Sequence, residues 1–448
     1  MGRLFGTDGV RGVANEKLSC ELAFKMGHAG AYVLTSKVHK ARILIGRDTR
    51  ISGDMLESAL VAGICSAGAE AIVAGVIPTS GIAYLTRDYG ADAGVVISAS
   101  HNSSEYNGIK FFGPEGRKLP DEIENRIESI ILDGTEELRA KTGVDVGRKV
   151  SALNALAEYK EFLLASTETN LRGLKIVLDC AHGAASVVGP RAFRELGAEV
   201  VPYYNTPDGT NINDNCGSTY PQKLTQLVAE LGADMGFAFD GDADRVIAVD
   251  EHGVIVGGDE IMAICALDLK ERGALKKNTL VCTVMSNLGL DIAMRENGIK
   301  TVKTKVGDRY VLEEMMKEGY SLGGEQSGHV IFLDKCTTGD GILTAIQLAA
   351  IVMRSGKTLS KLASAVTILP QVLVNVRVKD EHKDHIMEDD QVKKRIKALE
   401  KQFHGNGRVL IRPSGTEPLV RVMIEGQDKR EIERHAVEMA AVIESRLA

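Results

Sequence analysis

The sequence predicts an α/β chain: three tandem related α/β domains with mixed, largely parallel sheets, followed by a smaller C-terminal α+β domain. Three observations predict it. A helix that ends in glycine and feeds a short apolar strand occurs three times, at Ala67-Gly68-Ala69-Glu70-Ala71-Ile72-Val73, Leu196-Gly197-Ala198-Glu199-Val200-Val201 and Asn297-Gly298-Ile299-Lys300-Thr301-Val302. Each copy is followed by a second helix, glycine and strand, at Gly90-Ala91-Asp92-Ala93-Gly94, Gly232-Ala233-Asp234-Met235-Gly236 and Gly319-Tyr320-Ser321-Leu322-Gly323. The glycine separations are 22 (68 to 90), 35 (197 to 232) and 21 (298 to 319), so the middle copy carries an insertion, which includes Asn205 to Tyr220. After Pro370 the pattern stops. The expected domains are 1–152, 153–254, 255–369 and 370–448.

Composition sets the class. The chain has 448 residues, 44% hydrophobic and 26% charged, which is ordinary globular material with enough length for several cores. Its 54 basic and 61 acidic residues give a net charge of −7, which argues against general affinity for nucleic acid or an anionic membrane. Anionic ligands must then be caught by local clusters. The seven cysteines are scattered, without a C-x-x-C pair, and read as reduced core residues. With no secretory leader and no 18-residue apolar run, the expectation is a cytoplasmic protein.

In chain order, Phe5-Gly6-Thr7-Asp8-Gly9-Val10-Arg11-Gly12 is a glycine-spaced segment that could approach an anion, with Arg11 completing the site, or could be a solvated loop. A helix is expected at about 19 to 36, then a strand at Arg42 to Gly46. The polar loop Arg47-Asp48-Thr49-Arg50-Ile51-Ser52-Gly53 enters a helix capped by Ser52 or Asp54. Val95 to Ile97 has the length and branching of a buried strand, and it breaks into Ser98-Ala99-Ser100-His101-Asn102. Open α/β sheets place their chemistry at such breaks. Asn107-Gly108 reads as a tight turn returning a strand that carries Lys110. Alone, this stretch also has the composition of a surface loop.

The same point in the second copy is Asp240-Gly241-Asp242-Ala243-Asp244-Arg245, and in the third Gly324-Glu325-Gln326-Ser327-Gly328-His329. Three carboxylates at alternate positions after a buried strand repel one another and need a counterion. A calcium loop of the EF-hand kind is excluded by the flanking strands and by Arg245 where that loop needs glycine. Mg²⁺ with a phosphate completing its shell fits. In the last domain, strands at Val372 to Val378, Arg408 to Ile411 and Leu419 to Ile424 and helices at about 387 to 403 and 428 to 447 are expected. Between two arginines, Arg412-Pro413-Ser414-Gly415-Thr416-Glu417-Pro418 is either a phosphate nest or a surface turn.

FGTDGVRG, SASHN, NGIK, DGDADR, GEQSGH and RPSGTEP together, in this order over essentially the whole chain, resemble the α-D-phosphohexomutase superfamily, and Gln326 with the N-terminal signature resembles its glucosamine branch. The resemblance implies an isomerase that interconverts glucosamine 6-phosphate and glucosamine 1-phosphate, a precursor of UDP-N-acetylglucosamine and the cell wall. It implies that Ser100 is phosphorylated and that its phosphate, with Asp240, Asp242 and Asp244, coordinates Mg²⁺. Transfer from phospho-Ser100 would give a 1,6-bisphosphate, which reorients and returns its other phosphate to Ser100; a hexosamine or hexose 1,6-bisphosphate would act as primer. Lys110 would be the general acid and base, Arg11 and Arg245 would offset phosphate charge, and His101 would shape the loop. Glu325 and Ser327 would bind sugar hydroxyls, His329 lies in the same loop, and Gly307 and Asp308 resemble the sugar-recognition loop of the third domain. Arg412, Ser414, Gly415, Thr416 and Arg421 would hold the phosphate that is not transferred. The family expectation for assembly is a homodimer. Alternatives are a phosphoglucomutase or phosphomannomutase of the same superfamily, a haloacid-dehalogenase-like phosphatase with Asp240 as nucleophile, or a non-catalytic phosphosugar-binding protein.

Overall fold

The computed structural model describes residues 3–6, 8–34, 40–379, 386–413 and 419–447. It divides into two compact units, Met1–Met285 with Ile299–Ala365, and Ser286–Gly298 with Val366–Ala448.

Three sheets of one plan make up the first unit. In the first sheet β1 (Val10–Val13), β2 (Arg42–Arg47), β3 (Glu70–Val76), β4 (Ala93–Ile97), β5 (Tyr106–Phe112) and β6 (Lys149–Ser151) lie in the order β1-β5-β4-β2-β3-β6. The second contains β7 (Lys175–Asp179), β8 (Glu199–Tyr203), β9 (Met235–Phe239), β10 (Val246–Asp250) and β11 (Ile255–Val256), ordered β11-β10-β9-β7-β8. The third contains β12 (Thr279–Thr283), β13 (Lys300–Thr304), β14 (Leu322–Gly324) and β15 (Val330–Phe332), ordered β13-β12-β14-β15.

Every sheet has a parallel core with the first strand of its repeat in the middle, the second and third on either side, and an antiparallel strand beside the third. The repeat read in the sequence is thus one topology used three times, and its six marker glycines all take positive φ. Because the chain turns to opposite sides after the first and third strands, the carboxyl ends of these two form the switch point where such sheets bind ligands. All of β4 and all of β9 are buried, as expected for strands covered on both faces. Each valine or isoleucine so buried contributes about 1.5–3 kcal/mol.

Two local expectations fail for identifiable reasons. Asn107-Gly108 is no turn: both residues lie inside β5, opposite Gly12 and Arg11 of β1, a strand the glycine-spaced N-terminal segment did not announce. A Cβ on Gly108 would stand 2.5 Å from the Ser98 carbonyl oxygen, so the glycine permits close approach to the serine loop and reverses nothing. The helix Ser52–Ser66 starts without a side-chain cap at Ile51. Ser52 Oγ is occupied by Asn107 Nδ2 at 2.9 Å, and Asp54 pairs with Arg47.

The second unit carries an antiparallel sheet of β16 (Gln371–Arg377), β17 (Gly407–Pro413) and β18 (Leu419–Gly426), in the order β16-β18-β17, with helices Asp390–Phe403 and Lys429–Leu447. Val376, Val422 and Ile424 pack with Leu399, Met439 and Ile443 in its core. Register sets Arg412 directly opposite Arg421. Burial and then the Arg421 charge lower the proton affinity of the Arg412 guanidinium. Like charges facing one another weaken a sheet, so this pair is there at some cost. Ser414, Gly415 and Thr416 lie outside the described residues. None of the seven cysteines forms a disulfide. Among the described residues no helix is long and apolar enough to cross a membrane.

Candidate active site

The loops that follow β4, β9 and β14 meet in the first unit. Ser100, directly after β4, is 1% exposed and donates its hydroxyl to Asp240 Oδ2 at 2.6 Å. Its backbone is left-handed, with φ 53°, a conformation that costs a non-glycine residue about 1–3 kcal/mol. His101 Nδ1 lies 3.3 Å from Ser100 Oγ and 3.0 Å from Arg245 Nη1. A guanidinium can only donate, so Nδ1 is the acceptor and the imidazole is neutral. Burial, then the charges of Arg245 and Arg11, keep its proton affinity below the ordinary value.

Asp240, Asp242 and Asp244 are 1%, 1% and 6% exposed, and one oxygen from each lies within 4.8 Å of the others. Burial, followed by the charges of Asp244 and Asp242, pushes the Asp240 carboxyl well above the carboxylate range. Asp244 goes the other way: burial opposes its ionisation, but His329, Lys110 and Arg245 hold it well below that range. Thr79 Oγ1 at 2.7 Å and Lys110 Nζ at 3.2 Å both donate to Asp242 Oδ2. Asp242 Oδ1 and Asp244 Oδ1 are buried without a hydrogen-bond partner among the described residues. Two carboxylate oxygens without hydrogen-bond partners, in a cluster of like charges with an all-oxygen donor set, fit a hard divalent ion.

Arg11, on β1, reaches Asp8 at 3.6 Å. Of the third-repeat residues, Glu325 Oε1 accepts the Gly307 backbone N–H at 3.0 Å, and the Ser327 hydroxyl is buried without a hydrogen-bond partner among the described residues. His329 is 1% exposed and stands between Asp244 and Asp308, each at 3.6 Å. The Gly339 N–H donates to its Nε2 at 3.0 Å, which leaves the proton on Nδ1, toward Asp244. Asp308 is held by Lys118 at 2.7 Å, and Lys118 also pairs with Asp8 at 3.0 Å. A chain of ionisable side chains, buried at Asp244 and His329 and partly buried beyond them, therefore runs from Asp244 through His329, Asp308 and Lys118 to Asp8. It joins all three repeats.

Sequence reading identified Ser100, His101, Lys110, the aspartate triad, Arg245, Gly307, Asp308, Glu325, Ser327 and His329, and the structure brings these together. Arg412 and Arg421 belong to the second unit. Unread in the sequence were Asp8, Asp48, Arg50, Thr79, Lys118 and Asn213. Asn213, from the insertion of the middle copy, donates to the carbonyls of Ser100 and Asn102 at 2.9 Å each. The length of that insertion was the available signal.

Gly241 presses against the same loop: a Cβ there would meet the Ser100 carbonyl oxygen at 2.6 Å and Asn213 Nδ2 at 2.9 Å. Gly241→Ala is expected to displace the serine loop, lowering kcat by about 10- to 100-fold and stability by about 1–3 kcal/mol, read from steady-state kinetics and a urea melt.

A buried serine donating to one aspartate of an acidic triad, at the switch point of a thrice-repeated α/β sheet, is an arrangement suited to metal-assisted phosphoryl transfer. Four family profiles match: the phosphoglucomutase/phosphomannomutase α/β/α domain I over residues 2–138, domain II over 154–253, domain III over 257–368, and the C-terminal domain over 373–442. The phosphoglucosamine mutase of Caldanaerobacter subterraneus subsp. tengcongensis is 60% identical over 447 residues, spanning 100% of both chains. That of Clostridium novyi is also 60% identical, over 446 residues, covering 100% of this chain and 99% of the relative. A phosphoglucomutase/phosphomannomutase family protein from Burkholderia thailandensis shares the fold, with TM-score 0.83 at 24% identity over 99% of this chain and 97% of that one. The chain belongs to the phosphoglucomutase/phosphomannomutase family and is an isomerase of that family. A dehalogenase-like phosphatase is not favoured.

Proposed function

We propose that the chain interconverts glucosamine 6-phosphate and glucosamine 1-phosphate by way of phospho-Ser100 and a 1,6-bisphosphate intermediate. The observation that carries this reading is 60% identity to phosphoglucosamine mutases along the full chain, together with a buried serine in hydrogen-bond contact with one aspartate of the acidic triad. Asp240, Asp242 and Asp244 would hold Mg²⁺, with the phosphate on Ser100 as a further ligand. When bound, the ion supplies positive charge to a phosphoryl group in transfer.

The protein's own groups do the rest. The Ser100 hydroxyl accepts and returns the phosphoryl group; Lys110, the buried amine beside the triad, moves the proton of the attacking or leaving sugar hydroxyl. Arg11 and Arg245 offset phosphate charge. Glu325 and Ser327 have a carboxylate and an unsatisfied hydroxyl to offer a sugar diol, with Gly307 and Asp308 beside them. Arg412 and Arg421 form a cationic pair suited to the phosphate that stays on the sugar. A 1,6-bisphosphate primer would charge Ser100.

Lys110→Met, similar in volume and uncharged, is expected to lower kcat by about 10²–10⁴-fold with little change in KM. The reading as a whole is tested by assaying glucosamine 6-phosphate, glucose 6-phosphate and mannose 6-phosphate in parallel, with Mg²⁺ and catalytic hexose 1,6-bisphosphate. Preference for the amino sugar supports it. Preference for glucose or mannose assigns the chain a sibling activity, and absence of turnover on all three overturns it.

A further inference from the structure

We propose that Arg50, acting through Asp48 and Ser98, is the positioning residue that holds the Ser100 loop in its transfer geometry. This rests on the reading of Ser100 as the group that carries phosphate. Arg50 and Asp48 are both 0% exposed, at the end of β2, the central strand of the first sheet. Their loop and the serine loop are therefore the two arms of the switch point.

The guanidinium spends its donors almost entirely on the serine loop. Nε donates to Asp48 Oδ2 at 2.9 Å. Nη2 donates to the carbonyls of Ser100 at 2.9 Å and Asn102 at 2.8 Å. Nη1 donates to Tyr106 O at 3.0 Å and also to Ser103 O. One side chain thus gathers four carbonyls from a segment of seven residues, 100–106. Asp48 completes the circuit: its Oδ1 accepts the Arg50 backbone N–H at 3.0 Å, and its Oδ2 accepts the Ser98 hydroxyl at 2.6 Å. Ser98 Oγ in turn accepts the Ser100 backbone N–H at 2.9 Å. Both backbone polar groups of Ser100 are fixed by this network, its N–H by Ser98 and its carbonyl by Arg50.

A left-handed serine is the conformation that needs such restraint. Without it the peptide relaxes and Oγ leaves its contact with Asp240. Only arginine can do this: lysine keeps the charge opposite Asp48 but has no rigid fork of donors. None of the three residues touches the reacting atoms, so the prediction is a loss in rate and not in substrate binding.

The test uses the full chain with Mg²⁺ and hexose 1,6-bisphosphate, comparing Arg50→Lys, Ser98→Ala and Ser98→Thr with the parent. Arg50→Lys and Ser98→Ala are expected to lose about 10²-fold in kcat while KM for glucosamine 6-phosphate stays within about threefold. Labelling of Ser100 by ³²P-bisphosphate slows in parallel, and Ser98→Thr, which keeps the hydroxyl, retains most of the rate. Should Arg50→Lys fail to fold, Ser98→Ala decides, because it removes one buried hydroxyl and leaves the ion pair. Folded variants with parental kcat, or a loss confined to KM, would overturn the positioning role while the parent still turns over. A parent that turns over no hexose phosphate sinks the reading of the site and the inference with it.

Discussion

Ser100→Ala is expected to lower mutase activity by at least about 10⁴-fold while leaving the protein folded. The size follows from the lack of a substitute. Ser98, the nearest hydroxyl on the same loop, is committed to Asp48 and to the Ser100 N–H, and the Ser103 carbonyl is tied to Arg50. No other hydroxyl in 98–104 donates to the triad among the described hydrogen bonds. Removing Oγ costs one buried hydrogen bond, so the stability change should stay near about 1 kcal/mol. A coupled mutase assay beside a thermal melt separates the two effects. Parental stability with residual activity above about 1% of the parent would point to a different acceptor.

Asp240→Asn is expected to act oppositely on activity and on stability. Activity should fall by at least about 10²-fold, because the variant loses the charge of a ligand oxygen and offers Ser100 a neutral amide oxygen in place of a carboxylate. In chelator the variant should be the more stable protein, by about 1 kcal/mol at neutral pH. The sign comes from the triad. Burial and then the charges of Asp244 and Asp242 raise the proton affinity of Asp240 in the folded state. A carboxyl raised in this way contributes its stability below its unfolded value and loses it as pH rises through the folded one, so metal-free parent protein is strained at neutral pH and asparagine is not. Mg²⁺ reverses the order: at a hundred times its Kd it adds about 2.7 kcal/mol to the parent and less to the variant. Calorimetric melts with and without Mg²⁺ read both terms.

What could be read from the sequence was local. Six glycines at helix ends revealed the triple repeat because a left-handed residue there has few alternatives, and three alternating aspartates directly after a buried strand called for a counterion over a solvated acidic turn because like charges there repel. The serine was legible as the point where a buried strand stops, and it stood out from a surface loop only beside the aspartates of the second copy. Arg50 was not, since the four carbonyls it gathers lie 50 to 56 positions away and Arg47 to Gly53 has the composition of any solvated loop. Lys118 joins Asp8 and Asp308 across 110 and 190 positions, and Asn213 reaches back 113 to Ser100. Such contacts leave no periodicity. Asn107-Gly108 misled because the dipeptide favours turns, whereas here β1 pairs across it and the Ser98 carbonyl leaves no room for a side chain on Gly108.

The most direct measurement is the chemical location of the transferred phosphoryl group. The protein is incubated with ³²P-labelled hexose 1,6-bisphosphate and Mg²⁺, quenched, digested and sequenced by mass spectrometry. The expected result is acid-stable, hydroxylamine-resistant label on Ser100, dischargeable by glucosamine 6-phosphate. Label on Asp240 as a hydroxylamine-labile acyl phosphate, or turnover without label on Ser100, would contradict the account.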